Sequence, residues 1–172
     1  NNKIKEAAKL INQAKKPLIV WGQGVILGNA EKELIDLVEK TGIPAAWTIL
    51  GASAIPTEHP LNVGMLGMHG NYAPNIKTNE CDVLIAIGMR FDDRVTGDVT
   101  RYAKQAQIIH FEIDPAEVNK IIEVDIAILG NAKDTLKEVI KYIDTNSHKN
   151  WLKEFADLYE VEFNKVIDAE IN

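Results

Sequence analysis

Residues 82–88 read Asp-Val-Leu-Ile-Ala-Ile-Gly, and this run carries the strongest fold signal in the chain. Five consecutive apolar residues between an aspartate and a glycine are typical of a short strand that is buried on both faces of a sheet. Similar runs precede it at residues 18–21 and 43–48 and follow it at residues 107–113 and 126–129. Because strands buried on both faces belong to parallel sheets, the sequence predicts a mostly parallel sheet with helices on both faces.

Amphipathic helical patterns alternate with these runs. Helices are predicted over residues 3–15, 71–79 and 132–143. Between the first two strands, Asn29 is the predicted N-cap of a further helix that Gly42 ends. The alternation indicates an α/β fold class, with a Rossmann-like sheet of about six strands. Residues 51–70 are rich in glycine and proline, and they are expected to form a long irregular stretch with a function.

The predicted domain covers residues 1–145, and residues 146–172 are interpreted as a polar linker and a helix. The apolar stripe of that helix consists of Leu152, Phe155, Tyr159 and Val166. Two interpretations stay open, since such a helix either docks on its own core or connects to a further domain. Because the chain opens on Asn1-Asn2 without a methionine, we expect a domain excised from a longer protein.

Composition excludes several classes of protein. The chain has 172 residues, 46% of them hydrophobic, with a formal net charge of −6 and one cysteine. A chain of this length buries a full core without disulfides or metal. The negative charge argues against nucleic acid as a partner, and no apolar run is long enough to span a bilayer. With no secretory pattern recognised, we expect a cytoplasmic protein without a membrane partner.

The first strand end carries two glycines, at Gly22 and Gly24. Ligands of open parallel sheets bind at the carboxyl ends of the strands, which makes the residues after each apolar run informative. Glycines at this place let a phosphate approach the backbone, but a plain tight turn explains them equally well.

The segment GMLGMHG, residues 64–70, combines three glycines with two methionines and a histidine. One interpretation is a mobile loop whose methionines fill gaps in the core. The other is a loop whose thioethers and imidazole lie against a flat aromatic ligand, and the composition does not distinguish the two.

Arginine is concentrated in one segment of the chain. Of 19 basic residues, only Arg90, Arg94 and Arg101 are arginines. Two of them lie in GMRFDDRVTG, residues 88–97, directly after the strongest strand and beside two aspartates. An arginine held by a neighbouring aspartate is a good receptor for a phosphate or a ketoacid carboxylate, so we favour a binding role over a solvated ion pair.

Two later strand ends carry polar side chains. Glu112 stands where a carboxylate can accept hydrogen bonds from ribose hydroxyls, and the amide of Asn131 could contact an adenine edge. Together the strand ends predict a nucleotide-like cofactor along the sheet. Neither a metal site nor a nucleophile with a base is apparent, because the four histidines lack ligand spacing and Cys81 is expected to be buried.

Three strings carry a resemblance to a known family. GMLGMHG (64–70), GMRFDDRVTG (88–97) and HFEIDPAEVNK (110–120) closely resemble, in this order and spacing, the central domain of the acetohydroxyacid synthases, also called acetolactate synthases. The resemblance covers about residues 3–145 and implies a DHS-like nucleotide-binding fold. It also implies that residues 146–172 lead toward a C-terminal thiamine diphosphate-binding domain.

Members of this family are three-domain transferases that condense pyruvate with pyruvate or 2-ketobutyrate in valine, leucine and isoleucine biosynthesis. The resemblance implies that the flanking domains hold thiamine diphosphate and Mg²⁺, and that the central domain binds FAD without a net redox role. We expect a homodimer or tetramer of the full-length enzyme and leave a small regulatory subunit open. Because the family's thiamine motif and catalytic glutamate are absent, the chain should have no catalytic residue and should be inactive alone.

The resemblance assigns cofactor and substrate contacts to residues at the strand ends. The FAD-binding positions that it implies are Gly22, Gly24, Thr48, Ile49, Leu50, Leu66, Gly67, Met68, His69, Gly88, Met89, Arg90, Asp92, Arg94, Val95, Glu112, Ile113, Asn131 and Ala132. The substrate positions that it implies are Met68, Asp93 and Arg94, and the arginine helps to select the second ketoacid. Since the family often has aspartate at the positions of Glu112 and Asn131, the ribose and adenine contacts are expected to differ in detail.

Two alternatives to an acetolactate synthase domain stay open. A pyruvate-oxidase-like domain would carry redox-active FAD, and oxygen consumption by the full-length enzyme would reveal it. A non-enzymatic nucleotide-binding module would share the fold alone. Because part of the flavin contact should come from the first domain, we expect the isolated chain to bind FAD weakly or not at all.

Overall fold

The computed structural model describes residues 2–67, 70–92, 96 and 102–171, with side chains near the C-terminus given up to Lys165 and at Ala169. The strands in this part of the chain are β1 (Pro17–Trp21), β2 (Ala45–Trp47), β3 (Asn62–Met65), β4 (Val83–Ile87), β5 (Gln107–Glu112) and β6 (Ile126–Leu129). The helices are α1 (Asn2–Gln13), α2 (Gln23–Leu27), α3 (Glu31–Thr41), α4 (Tyr72–Thr78), α5 (Ala132–Ile140) and α6 (Lys149–Ile171). Single 3-10 turns lie at Ile49–Gly51 and Pro115–Glu117. Among these helices, none has the length and the apolar character that crossing a bilayer requires.

The sheet is parallel throughout, with the strand order β3-β2-β1-β4-β5-β6. β1 and β4 are the two central strands, and Leu18 lies beside Leu84 across their ladder. From β1 the chain moves outward to β2, whereas from β4 it moves outward to β5 on the other side. This reversal places a crevice at the carboxyl ends of β1 and β4, and it confirms the predicted α/β fold class with a Rossmann-like sheet.

Both faces of the sheet are covered, which explains why the strand runs are apolar without interruption. Ile19 and Ile85 face a core formed with α1, α3 and α5, while Leu18 and Leu84 face a second core formed with α4 and α6. All four side chains are fully buried. Successive strand residues point to opposite faces, so both positions of the alternation must be apolar here.

β3 lies inside the stretch that was expected to be irregular, and that expectation was wrong at these four residues. The strand pairs with β2 at the edge of the sheet, with a register shift between Ala45 and Ala46. Its apolar pattern is weak because Val63 is its only buried residue and Gly64 has a positive φ of 103°. An edge strand with one core contact leaves no alternation that a sequence pattern can detect.

The predicted N-cap at Asn29 was also wrong, because Ala30 occupies the cap position of α3. Asn29 has a φ of 52° and instead follows Gly28, the C-cap of α2. The Ala30 N–H donates to the Val25 carbonyl at 2.9 Å, and the Asn29 N–H donates to the Ile26 carbonyl at 3.1 Å. This is the Schellman pairing, and asparagine tolerates its left-handed position better than most residues. Gly42 ends α3 as predicted, with a φ of 68°.

The last helix, α6, docks on the same domain. Trp151 and Phe155 are buried in the core beside α4, and the Trp151 Nε1 donates to the Pro17 carbonyl at 2.6 Å. The Lys77 ammonium on α4 lies 3.0 Å from the Glu154 carboxylate on α6. The structure therefore shows the docked arrangement of this helix, and its continuation toward a further domain stays a prediction.

Candidate functional site

Four glycines bring three chain segments into contact at the crevice between β1 and β4. A Cβ atom added to Gly22 would lie 2.8 Å from the Gly88 carbonyl oxygen, and one added to Gly51 would lie 2.9 Å from the Gly22 backbone. The Gly22 N–H donates to the Ile87 carbonyl at 3.0 Å, and the Gly24 N–H donates to the Gly88 carbonyl at 2.8 Å. These glycines therefore permit close packing of backbone on backbone, and the Gly22 and Gly24 amides bind the end of β4.

The segment after β2 presents apolar side chains to solvent. The Thr48 N–H donates to the Trp21 carbonyl at 2.9 Å, which fixes the start of the 3-10 turn. Ile49 and Leu50 in that turn are 65% and 61% exposed. Exposed branched residues beside a sheet crevice are suited to contact a ligand or another domain.

The loop after β3 is held by two asparagines that the sequence patterns did not single out. The Asn75 side chain hydrogen-bonds both backbone groups of Gly67. Its Oδ1 accepts from the Gly67 N–H at 3.0 Å, and its Nδ2 donates to the Gly67 carbonyl at 2.8 Å. The Asn71 Oδ1 accepts from the Met65 N–H at 2.8 Å. Leu66 is buried. Asn71 occupies the N-cap position of α4, but its side chain makes no cap hydrogen bond.

The segment after β4 turns away from the sheet at Gly88, which has a φ of 60°. Met89 is buried, whereas the Arg90 side chain is exposed. The Asp92 carbonyl accepts hydrogen bonds from the backbone N–H and the hydroxyl of Thr96, at 2.9 and 3.1 Å. An exposed guanidinium beside the crevice provides a cation that an anionic ligand can reach.

Glu112 sits at the end of β5 and stabilises its own turn. Its Oε1 accepts from the Ile113 N–H at 2.9 Å and from the Asp114 N–H at 3.2 Å. Burial alone would raise the pKa of Glu112, but hydrogen bonds from His110 and from these backbone amides outweigh it, so the pKa lies below its ordinary value. The carboxylate is thus ionised and largely satisfied within the protein.

The buried His110 links the segments after β4 and β5. Its Nε2 lies 3.0 Å from the Met89 carbonyl oxygen and 3.5 Å from the Glu112 Oε2. Both neighbours are acceptors, which assigns the proton to Nε2. The Phe91 ring packs edge to face on the imidazole at 5.1 Å. In the sequence, His110 begins the HFEIDPAEVNK string and has no ligand spacing to the other histidines. Its contacts depend on strand neighbours, which residue spacing does not reveal.

Asn131 caps α5 after β6. Its Oδ1 accepts from the Asp134 N–H at 2.9 Å, and its Nδ2 donates to the Asp134 carboxylate at 2.9 Å. Ala132 follows in the first turn of the helix and is 9% exposed. The amide that was predicted to contact an adenine edge is therefore engaged in a helix cap.

The structure brings most of the predicted cofactor positions to one edge of the sheet. The predicted positions Met68, His69, Asp93, Arg94 and Val95 lie outside the described residues. At the same edge, Ile113 after β5 is 69% exposed, and Ile49 and Leu50 after β2 are exposed as well. Nowhere in the described ranges do three or more His, Cys, Asp or Glu side chains come together as a metal site. What this edge offers chemically is a binding surface.

Replacing Glu112 by glutamine should remove an acid-sensitive contribution to stability. Because the folded-state pKa is lowered, the ionised form stabilises the fold above the ordinary carboxyl pKa, and this contribution is lost as the pH falls through the folded-state value. We expect wild type to exceed Glu112→Gln by about 1 kcal/mol in free energy of unfolding at pH 7, and this difference should shrink as the pH falls below the ordinary carboxyl pKa. Urea titrations across this range measure the difference. The exposed Glu123→Gln is the control, and a difference that persists in acid would contradict the assignment.

A family model matches most of the chain. The model for the central domain of thiamine pyrophosphate enzymes matches residues 4–139. This range contains all six strands and stops just short of the end of α5.

Three curated relatives are named acetolactate synthase large subunits. A probable acetolactate synthase large subunit of Methanocaldococcus jannaschii is 46% identical over 158 residues, which cover 90% of this chain and 27% of that protein. One from Methanococcus aeolicus is 52% identical over 141 residues, covering 82% of this chain and 24% of that protein. The acetolactate synthase large subunit of Corynebacterium glutamicum is 46% identical over 138 residues, which cover 80% of this chain and 22% of that protein. The chain spans about a quarter of the length of these relatives.

Proposed function

The chain belongs to the thiamine pyrophosphate enzymes as their central domain, and we propose that it is the central domain of an acetolactate synthase large subunit. The support is the shared name of the relatives, which are 46 to 52% identical to most of this chain. Because the chain corresponds to about a quarter of those proteins, the activity belongs to a longer protein. That protein condenses pyruvate with a second pyruvate or with 2-ketobutyrate, and its flanking domains hold thiamine diphosphate and Mg²⁺.

The role proposed for this domain is to bind FAD at the carboxyl edge of its sheet. The observation that carries this proposal is the exposed apolar surface of Ile49, Leu50 and Ile113 on both sides of the crevice. A flavin dinucleotide has flat apolar rings and an anionic diphosphate, so exposed branched side chains and the nearby Arg90 fit its chemistry.

Other predicted contacts fit FAD only in part. The Gly22 and Gly24 amides already bind β4, and the Glu112 Oε1 already accepts two backbone N–H groups. These groups therefore stabilise the edge of the sheet, and most of their hydrogen-bonding capacity is already used within the protein. We therefore attribute the binding free energy mainly to the apolar surface and to the arginine.

The substrate assignment rests on Arg94, with Asp93 and Met68, as the sequence predicts. The arginine is proposed to receive the carboxylate of the second ketoacid beside the flavin. The partners of this domain are proposed to be the flanking domains of the same chain, a second copy in a homodimer or tetramer, and a small regulatory subunit. Its cytoplasmic location stays a prediction from the sequence.

The full-length protein should purify with stoichiometric flavin and should form acetolactate from pyruvate without consuming oxygen. Replacing Ile113 by serine should weaken FAD binding about tenfold, because one exposed branched side chain loses its contact with an apolar ring. Flavin absorbance and fluorescence titration of the apoprotein measure both effects. Phe163→Ser is the matched control, since Phe163 is 63% exposed but lies on α6.

Each other outcome identifies an alternative. Oxygen uptake coupled to pyruvate turnover would indicate a pyruvate-oxidase-like enzyme with redox-active FAD. Flavin binding that Ile113→Ser leaves unchanged would show that the cofactor lies elsewhere. A full-length protein that neither binds flavin nor forms acetolactate would indicate a nucleotide-binding module without enzymatic activity.

A further inference from the structure

His110 is a fully buried polar side chain in the middle of β5. Its register neighbours in the sheet are Ala86 on β4 and Ala127 on β6. Because these two side chains end at Cβ, they leave the larger imidazole room on this face of the sheet. The Phe91 ring packs edge to face on the imidazole, with the ring centroids 5.1 Å apart. Packing therefore restrains the direction in which the ring nitrogens of His110 point.

The hydrogen bond of His110 reaches the segment after β4. Its Nε2 lies 3.0 Å from the Met89 carbonyl oxygen, which belongs to the peptide unit that joins Met89 to Arg90. Met89 is buried, and the Arg90 side chain that follows is exposed. Because a peptide unit is planar, fixing its carbonyl restrains the Cα atom of the next residue. The imidazole therefore restrains the point from which the Arg90 side chain leaves the backbone.

A second contact of the same nitrogen reaches the end of β5. The His110 Nε2 lies 3.5 Å from the Glu112 Oε2, and the Oε1 of this carboxylate accepts from the Ile113 N–H at 2.9 Å. Burial raises the pKa of Glu112, and the hydrogen bond from His110 is the largest of the contributions that lower it. The imidazole thus favours the ionised carboxylate, which is the stronger acceptor for the Ile113 amide.

We propose that His110 is a positioning residue that holds Arg90 and Ile113 in their relative positions for a dinucleotide. These two residues follow different strands, and FAD binding is attributed to both of them. The inference rests on the proposed function, because it takes a flavin dinucleotide as the ligand of this edge. Without the donor on His110 the sheet would stay paired, but the two segments beyond it would be held less firmly. The dinucleotide would then have to order them on binding, at a cost in affinity.

The test compares His110→Leu with His110→Gln in the full-length apoprotein. Leucine has no donor, whereas glutamine keeps an N–H donor on a side chain of similar reach. The pKa of Glu112 should rise in His110→Leu, because the imidazole no longer offsets part of the effect of burial, and should stay near its wild-type value in His110→Gln. NMR titration of ¹³C-labelled glutamate side chains measures this pKa, and the signal that Glu112→Gln removes identifies the residue.

Fluorescence titration with FAD measures the consequence for binding. The affinity should fall about fivefold in His110→Leu, which corresponds to the loss of one hydrogen bond, and His110→Gln should restore most of it. Ile109→Ala is the control for lost stability, because Ile109 is equally buried on β5 but faces the opposite core. It should lower the thermal midpoint and leave both the Glu112 pKa and the FAD affinity unchanged.

The remaining outcomes separate the steps of this proposal. An unchanged Glu112 pKa in His110→Leu would refute the action of the imidazole on the carboxylate. A raised pKa with unchanged FAD affinity would refute the positioning role, and so would an equal loss of affinity in Ile109→Ala. A wild type that binds no FAD would refute the proposed function, and the pKa comparison would still decide whether His110 acts on Glu112.

Discussion

Substituting Gly88 by alanine should lower the free energy of unfolding by about 3 to 5 kcal/mol. Gly88 has a φ of 60°, a conformation that costs alanine on the order of 1 kcal/mol. The larger contribution is steric, because the new Cβ would lie 2.7 Å from the Val25 nitrogen and 2.8 Å from the Gly24 Cα. Both obstacles are backbone atoms of α2, so the clash can be relieved only by moving the backbone of α2 away from Gly88.

Gly28→Ala is the matched control for this substitution. Gly28 ends α2 with a φ of −88°, and an added Cβ would have one tight neighbour, the Gly24 carbonyl oxygen at 3.0 Å. We expect a change of less than about 1 kcal/mol at this position. Guanidinium chloride unfolding followed by circular dichroism compares the two variants. Equal losses in both would show that the backbone contact at Gly88 is easily relaxed.

Replacing Trp151 by alanine should cost about 3 to 5 kcal/mol and release α6 from the domain. The indole is 3% exposed, donates to the Pro17 carbonyl at the start of β1, and packs edge to face on Phe155. The ammonium groups of Lys16 and Lys77 lie 5.7 and 5.4 Å from the ring centroid. One side chain thus joins the first strand, α4 and α6, and its removal leaves a cavity where they meet.

Two controls divide this effect into its parts. Trp151→Phe keeps most of the apolar area and loses the N–H donor, so it should cost about 1 to 2 kcal/mol. Phe163→Ala, on an exposed part of the same helix, should change stability by less than about 0.5 kcal/mol. The measurement is the unfolding free energy together with limited proteolysis of α6. A small loss in Trp151→Ala with α6 still protected would show that other contacts seat the helix.

The sheet was predictable because its strands carry a strong local signal. Residues 83–87 are apolar at every position, because both faces of β4 are covered. An amphipathic helix of the same length would not need an apolar residue at every position. β3 was missed for the converse reason. Its single buried residue, Val63, and the positive φ of Gly64 leave it without periodicity, and its pairing depends on β2 being present first.

The sequence predicts a candidate site at the carboxyl ends of the strands, but it does not reveal the contacts that the residues there make. That ligands sit at strand carboxyl ends follows from topology, and the exposed Ile49 and Ile113 lie there. The packing roles of Gly22 and Gly24 could not be predicted from the sequence, because the backbone that they approach belongs to Gly88, which lies far away in the sequence. The role of Asn75 was missed as well, because its hydrogen bonds to the Gly67 backbone, eight positions earlier, leave no recognisable sequence pattern.

The strand order also has a consequence for synthesis on the ribosome. Pro17 of β1 pairs with Val83 of β4, so the first strand must wait for its central neighbour while 66 further residues are made. At roughly 5 to 20 residues per second, this delay lasts several seconds. During that time β1 has only β2 beside it, and its apolar inner edge is open to other nascent chains. The interval before β4 emerges is therefore when this chain is most prone to aggregate and has most need of a chaperone.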